Sequence, residues 1–391
     1  MNKGKYVFSQ VMDFVPYYQF NKCVENYKGN YRLRNLTCWE QFLAMSFGQL
    51  SYRESLRDVV ICLNAQKEKF YHLGFRSQIS KSTLARINEK RDWRIYRDFA
   101  LILIEKAKKL YVDDKKFNLD LQGSCYAIDS STIELCFNTF KWARLVDVRA
   151  AVRLHLMLDV KSNIPSFFHI TSGKIHDINF LDIVEFETGS YYIMDRGYID
   201  FERLFKIHSS EAFFVTRAKI NFSFKRLHSN KVDKMSGVRC EQIIKLKNSQ
   251  AAKNYPDKLR RIKYFDKETN QYYVFLTNNF TLPAKAIADL YRYRWQIELF
   301  FKWIKQHLKI KSFWGYSQNA VKTQICIAIC SYLLVAIIKK ELNIEKNLYE
   351  ILQILSVSLF DKNPLVKLIS ENIPQNFEDY SQKQCNLWDF K

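Results

Sequence analysis

No two cysteines in this chain stand in a C-x2-C pair, although the residue itself occurs nine times, at 23, 38, 62, 125, 136, 240, 326, 330 and 385. The missing pairs exclude the usual zinc ribbon, and the odd, scattered set argues against a disulfide framework. The cysteines read as reduced core residues in a cytoplasm. A secretory leader is also missing, since MNKGKYVFSQVMDF has neither an apolar core nor a small-residue cleavage site. No apolar run reaches bilayer length. The longest, Ile325 to Ile338, is closed off by Lys322 and Lys339 and reads as a buried core helix. Repeats and low-complexity tracts are absent. The expected setting is therefore cytoplasmic, close to the nucleoid, with no membrane partner. Acid is scarce too: 40 Asp and Glu face 61 Lys and Arg, a formal net charge of +21. That surplus favours a polyanionic partner, nucleic acid ahead of acidic lipid, with an ordinary basic enzyme as the plain alternative.

What the chain does contain is enough apolar material for two or three domains, 48% of 391 residues, with 15% aromatic. The first hundred or so residues carry helix signals. Thr37 and Glu40 fit a capping box that opens a helix through Trp39, Phe42, Leu43, Met45, Phe47 and Leu50. A second helix runs from Ser55 through Val59, Val60 and Leu63. After Gly74, the run Ser80 to Thr83 caps a helix with Leu84 and Ile87 inside and Arg86, Lys90, Arg91 and Arg94 outside. Arg86 and Lys90 are thus candidate DNA contacts of a helix-turn-helix-like reader, or simply a solvated basic face.

A polar linker, Tyr111 to Gly123, separates this region from a series of short apolar runs: 125–128, 154–158, 166–170, 191–194 and 212–215. Helices are expected near 179–186 and 201–207. Strands first clustered, then alternating with helices, predict a mixed α/β sheet. Residues 217 to 280 form a basic, strand-rich insertion with a hairpin between Arg261–Phe265 and Gln271–Leu276, and Pro283 introduces a long helix. The expected division is a helical N-terminal domain (1–112), an α/β core (113–216 and 281–340), a β-rich insertion (217–280) and a helical C-terminal region (341–391). The spaced leucines and isoleucines between Leu342 and Ile373 suit either the core or a second subunit.

Asp129 and Asp195 each follow a buried apolar strand, the edge of an open sheet where α/β sites form. Either could instead cap the turn that follows. Glu298 has more informative neighbours. At about 100° per residue, Tyr291 falls near +20° from it, Arg294 near −40° and Lys305 near −20°. Leu290, Ile297, Phe301, Ile304 and Leu308 form the apolar stripe alongside. A carboxylate at the margin of a core, flanked by phosphate-binding groups, suits metal-assisted phosphoryl transfer, because hard cations take oxygen ligands. Ordinary i, i+4 pairs of Glu298 with Arg294 and Lys302 are the simpler reading, but leave Tyr291 and Lys305 unexplained. Asp159, ending another strand, is the rival carboxylate. His176 and Asp177 sit in a loop where they could touch DNA or orient a ligand, with Asp177 as a helix cap the favoured reading. Trp295, Tyr272 and Tyr273 could stack on an unpaired base or belong to the core.

The set Tyr291, Arg294, Glu298 and Lys305 in YRYRWQIELFFKWIK matches Y-x2-R-x3-E-x6-K in full. With Asp129 in YAIDSSTIE and Asp195 in YYIMDRGYID, the sequence resembles the DDE transposases of bacterial insertion sequences, specifically the IS-four family. TCWEQFLAM and GQLSYRESLRD resemble the N-terminal domain of one branch. Where the best-known branch has a second acidic cluster, this chain has Arg196-Gly197-Tyr198. The resemblance implies a ribonuclease-H-like catalytic core with a β-rich insertion beside an all-α DNA-binding domain. It implies Asp129, Asp195 and Glu298 as catalytic metal ligands for two Mg²⁺ or Mn²⁺ ions. It further implies inverted-repeat ends and target DNA as substrates, cut and joined by a homodimer in a synaptic complex. A ribonuclease-H-type nuclease and an inactive relative that occupies transposon ends are the alternatives.

Overall fold

The structure, a computed structural model, describes residues 4–32, 35–112, 119, 121–136, 138–146, 149–219, 223–310 and 312–370. Asp113 to Lys116 of the expected linker, Ile373 and Cys385 lie outside that set.

Helices α1 (Val7–Met12), α2 (Tyr17–Asn26), α3 (Cys38–Leu50), α4 (Leu56–Asn64), α5 (Phe70–Leu73), α6 (Lys81–Lys90) and α7 (Arg94–Tyr111) come first. The caps are those the sequence signals: Thr37 with Glu40, Ser55 with Asp58, and Ser80. Glu40 does more than cap. It is buried and also accepts from the Arg76 backbone and guanidinium, tying the start of α3 to the chain after α5. On α7, residues Ile95, Tyr96, Phe99, Ala100, Leu103, Ile104 and Ala107 are buried at three- and four-residue spacing, an amphipathic face that packs on the sheet's outer strand.

The strands are β1 (Cys125–Leu135), β2 (Arg144–Val146), β3 (Arg149–Asp159), β4 (Ile164–Ser172), β5 (Tyr191–Met194), β6 (Phe213–Arg217), β7 (Phe224–Asn230), β8 (Val238–Leu246), β9 (Leu259–Asp266) and β10 (Gln271–Thr277). They make one mixed sheet in the order β2-β3-β1-β5-β6-β10-β9-β8-β7, with β4 also on β3. Between β1, β5 and β6 the pairing is parallel, and everywhere else it is antiparallel. Helices α8 (Phe201–Ser209) and α9 (Ser249–Asn254) cover one face. The other receives α10 (Ala284–Arg292), α11 (Trp295–His307) and α12 (Gln318–Glu341), followed by α13 (Leu348–Ser358) and α14 (Leu365–Ser370).

Four expectations change. Strand β1 does not stop before Asp129 but runs on to Leu135, with β3 as its partner. The helix expected near 179–186 is a six-residue 3₁₀ helix, Asp177–Asp182. The hairpin forms at the expected place, yet β10 pairs with β6, so the strand-rich segment extends the central sheet. The long helix after Pro283 is broken at Tyr293-Arg294, where Tyr293, Arg294, Gln296 and Ile297 donate to carbonyls three residues back rather than four. Such a tightened turn advances the side chains by more than the 100° that a straight α-helix allows.

Helix α12 is the centre of the helical layer. It is 24 residues long and apolar enough to span a bilayer, but 94% of its apolar window is buried within the protein. It packs on α3, α6, α7 and α13. The C-terminal helices dock on this body: Val7 N donates to Asp361 O at 2.9 Å and Phe8 N to Leu359 O at 2.9 Å. Gln324 of α12 fixes the chain that leaves α11. Its amide donates to Lys309 O (2.5 Å) and Ser312 O (3.0 Å) and accepts from Trp314 N (2.8 Å). Gln324→Leu strips those three partners in a buried site and is expected to lower stability by about 1–3 kcal/mol, read as a lower urea midpoint at constant m-value.

Candidate active site

Parallel pairing of β1 with β5 ends at Ile128 opposite Met194. Asp129 and Asp195 are the next residues on each strand, so the register sets them side by side at the point where β5 stops and β1 goes on. Along β1, Cys125 and Ala127 belong to the larger core and Tyr126 and Ile128 to the smaller one on the opposite face. Strict alternation sends Asp129 toward the larger core, the layer that holds α11. Asp195 leads a 3₁₀ turn, Arg196–Tyr198, with its carboxylate accepting from Arg196 N, while its carbonyl accepts from Thr216 Oγ1 of β6 at 3.1 Å.

Glu298 lies in the first turn of α11, which packs on β1. Arg294, at the start of that helix, joins helix to strand: Nη2 is 2.6 Å from Glu298 Oε1 and Nη1 is 4.0 Å from Asp129 Oδ2. The guanidinium is only 17% exposed. Burial pushes the Asp129 carboxyl up to about 6, and the negative charges of Glu298 and Asp195 push the same way, against the Ser130 backbone N–H and Arg294. Glu298 and Asp195 thus both act on Asp129, across a sheet end and a helix. Among the described residues, no three His, Cys, Asp or Glu side chains are drawn together at metal-binding distance. Arg294 sits between two of the acids instead. The donor set nevertheless fits a hard divalent cation: all oxygen, partly desolvated, and with mutual repulsion that a dication would relieve.

The other residues singled out in the sequence divide. Tyr291 is buried, packs on Phe275 at 4.9 Å between ring centroids, and its hydroxyl has no hydrogen-bond partner. Lys305 Nζ donates to Thr132 O of β1 at 2.9 Å. Trp295 is 57% exposed rather than part of the core, and lines a cavity of about 580 Å³ with Tyr291, Arg294, Arg217 and Tyr273. Tyr272 is similarly exposed. Tyr291 lies on α10, Arg294 stands at the N-cap of α11, and Glu298 and Lys305 lie on α11, so the four do not form one straight stripe. Arg86 and Lys90 are exposed on α6 and line a separate cavity with Lys28 and Arg32, which none of the three carboxylates enters. Asp159 accepts from Lys161 N and Ser162 Oγ and closes its own turn, so it does not join the site.

One residue at the sheet end, Tyr198, was missed, and another, Asp177, was read as a cap. Asp177 caps no helix: it is the first residue of its 3₁₀ helix, and His176 before it makes no side-chain cap. Its carboxylate pairs with Arg153 Nη1 at 2.7 Å and lines a cavity of about 290 Å³ with Asp129 and Asp195. Tyr198 lines the same cavity. It is 3% exposed, its hydroxyl makes no hydrogen bond, and burial and the nearby Asp129 and Asp177 carboxylates raise its pKa. The signal for Tyr198 was its place three residues after Asp195. Asp177 had no local signal, since only the β3–β4 pairing brings Arg153 and its turn to the sheet end.

Comparison with known proteins gives the family. The family model "Transposase DDE domain" matches residues 120–334, more than half of the chain, and a second model, a domain of unknown function (DUF4372), matches residues 3–76. The chain belongs to the DDE transposase family, whose members use divalent metal ions. Among its relatives, a putative transposase y4zB of Sinorhizobium fredii is 36% identical over 54% of this chain and 59% of its own length. A probable transposase for insertion sequence element IS5377 of Geobacillus stearothermophilus is 27% identical over 65% and 66%, and a putative transposase for IS4SA of Synechocystis is 23% identical over 70% and 76%. The match therefore spans less than two thirds of the first two relatives. A cryo-EM structure of the piggyBac transposase synaptic complex with hairpin DNA covers 94% of this chain and 80% of its own, at 10% identity and a TM-score of 0.41, too loose a likeness to carry an argument.

The Asp129 carboxyl makes a testable demand on stability. Its folded pKa, about 6, lies above the ordinary 3.8, so its contribution is fully present below the lower value and is lost as pH rises through the higher one. In EDTA at pH 7, Asp129→Asn should be more stable than the parent by up to roughly 3 kcal/mol, with the difference vanishing below pH 4. Urea midpoints at both pH values check this, and a less stable variant at pH 7 would contradict it.

Proposed function

We propose that the chain is a metal-dependent DNA transposase that cuts and joins DNA at inverted-repeat transposon ends. The observation that carries this reading is the convergence of Asp129 and Asp195, side by side at the end of the parallel strands, with Glu298 on a helix joined to Asp129 through Arg294. The sheet order β4-β3-β1-β5-β6, antiparallel up to β1 and parallel beyond, supports a ribonuclease-H-like core. The net charge of +21 supports a polyphosphate substrate.

In this reading Asp129, Asp195 and Glu298 would together hold divalent ions, Mg²⁺ or Mn²⁺ and two in number. When bound, the ions supply charge stabilisation to the attacking and leaving oxygens of an in-line displacement. Water attacks the scissile phosphate and displaces its 3′ oxygen, which leaves as a free 3′ hydroxyl. That hydroxyl then attacks a second phosphodiester and displaces its 3′ oxygen in turn, so each step makes one P–O bond and breaks one. The chain's own groups do the rest. Arg294, relieved of Asp129, forks onto the phosphate, Tyr291 donates its unpaired hydroxyl, and Lys305 adds a point charge. Trp295, exposed beside the site, offers a face to an unstacked base. Arg86 and Lys90 on α6 contact the end sequence, and two copies of the chain act on a synapsed pair of ends.

The test uses a duplex carrying the terminal repeat found in the DNA beside the coding sequence. Asp129→Ala, Asp195→Ala and Glu298→Ala should each abolish Mg²⁺-dependent cleavage while duplex binding persists. Cleavage retained by any one of them would remove that residue from the site, and cleavage retained by all three would end the proposal.

A further inference from the structure

Next to the site, a cavity of about 420 Å³ is lined by Arg196, Arg217, Lys219 and Arg261 together with Phe224 and Tyr272, and no acidic side chain is among its walls. Most other arginines near the sheet are neutralised: Arg153 by Asp177, Arg203 by Asp182, Arg260 by Glu241, Arg292 by Asp266 and Arg294 by Glu298. Among the described residues, none of these four cations has a carboxylate in ion-pair range. Four like charges around one cavity repel each other, and Arg217 and Arg261 are half-buried, where water screens them less.

Their geometry is already set. The Arg217 guanidinium lies 4.9 Å from the Tyr273 ring centre and that of Arg261 lies 5.1 Å from Phe224, while Arg261 Nη1 donates to Gln242 Oε1 at 3.0 Å. Stacked in this way, each keeps its remaining N–H groups in a fixed fork suited to a phosphate. Position gives the cavity its meaning. Arg196 directly follows Asp195, and Arg217 also lines the cavity of Tyr291, Arg294 and Trp295.

The geometry points to this cavity as a binding site for successive backbone phosphates of the DNA strand that leaves the cutting site across the outer strands of the sheet. The inference rests on the reading of the substrate as DNA. It assigns Lys219 and Arg261 to strand affinity and not to chemistry, since both lie beyond the carboxylates. Exposed Tyr272 in the same wall supplies a face on which a base can rest.

The experiment measures binding of the full chain to the terminal-repeat duplex by fluorescence anisotropy over a series of salt concentrations, beside cleavage at saturating duplex. For Lys219→Gln with Arg261→Gln, the slope of log affinity against log salt should flatten by about two, roughly one for each lost phosphate contact. Cleavage at saturating duplex should stay at the parental rate. The charge-preserving pair Lys219→Arg with Arg261→Lys should restore the slope, which separates lost charge from damaged folding. An unchanged slope and affinity in the glutamine pair would overturn the site. If the parent chain fails to cut in Mg²⁺ yet the glutamine pair flattens the slope, the cleavage reading falls and this site stands. If the parent cuts and the slope does not move, this site alone falls.

Discussion

One guanidinium holds the site together. Asp129 comes from β1, Asp195 from the end of its partner β5 and Glu298 from a helix, and Arg294 is the positive charge set between the helix acid and Asp129. Arg294 reaches both Asp129 and Glu298 from a place where it is itself largely buried. At 4 Å a unit pair is worth about 4 kcal/mol at the effective dielectric of a protein surface. For Asp129 it offsets only part of the desolvation, since the carboxyl stays raised to about 6. The same interaction explains why the acids stop short of a ready-made metal cluster: the arginine occupies the middle ground.

The rest of the fold serves to bring these charges into range. Parallel register between β1 and β5 sets the two aspartates abreast, and the tightened turn at Tyr293-Arg294 lets one short helix end and another begin with its arginine facing the sheet. Helix α11 is held from behind by α12 and by the Gln324 and Gln49 amides, which together satisfy both backbone groups of Lys309. Local strain of charge is thus borne by a well-packed interior. Cationic cavities on the outer strands and on α6 leave the acids as a small negative spot on a strongly positive body.

Much of this was readable in advance where the signal is local. A capping pair announced α3, the apolar spacing after Ser55 announced α4, five apolar runs announced the central strands, and the spacing of Tyr291, Arg294, Glu298 and Lys305 announced the helix of Glu298. Other features depend on partners distant in sequence. Residues 130–135 stay in β1 only because β3 lies alongside, so Asp129 looked like a strand end. The helix break carries no glycine or proline to mark it. That β10 would join β6, and so gather Arg217 and Arg261 around one cavity, follows from a pairing with no short-range trace. Asp177 was taken for a cap because Asp so often is one; Arg153, 24 residues away, decided otherwise.

The central claim is that the three carboxylates are a divalent-metal site in waiting, held by Arg294. Titrating the full chain with Mn²⁺ and following bound ion by electron paramagnetic resonance tests it most directly. Parent protein and Asp159→Asn should bind alike, whereas Asp129→Asn and Glu298→Gln should lose binding. Equal Mn²⁺ binding by all four proteins would contradict the account.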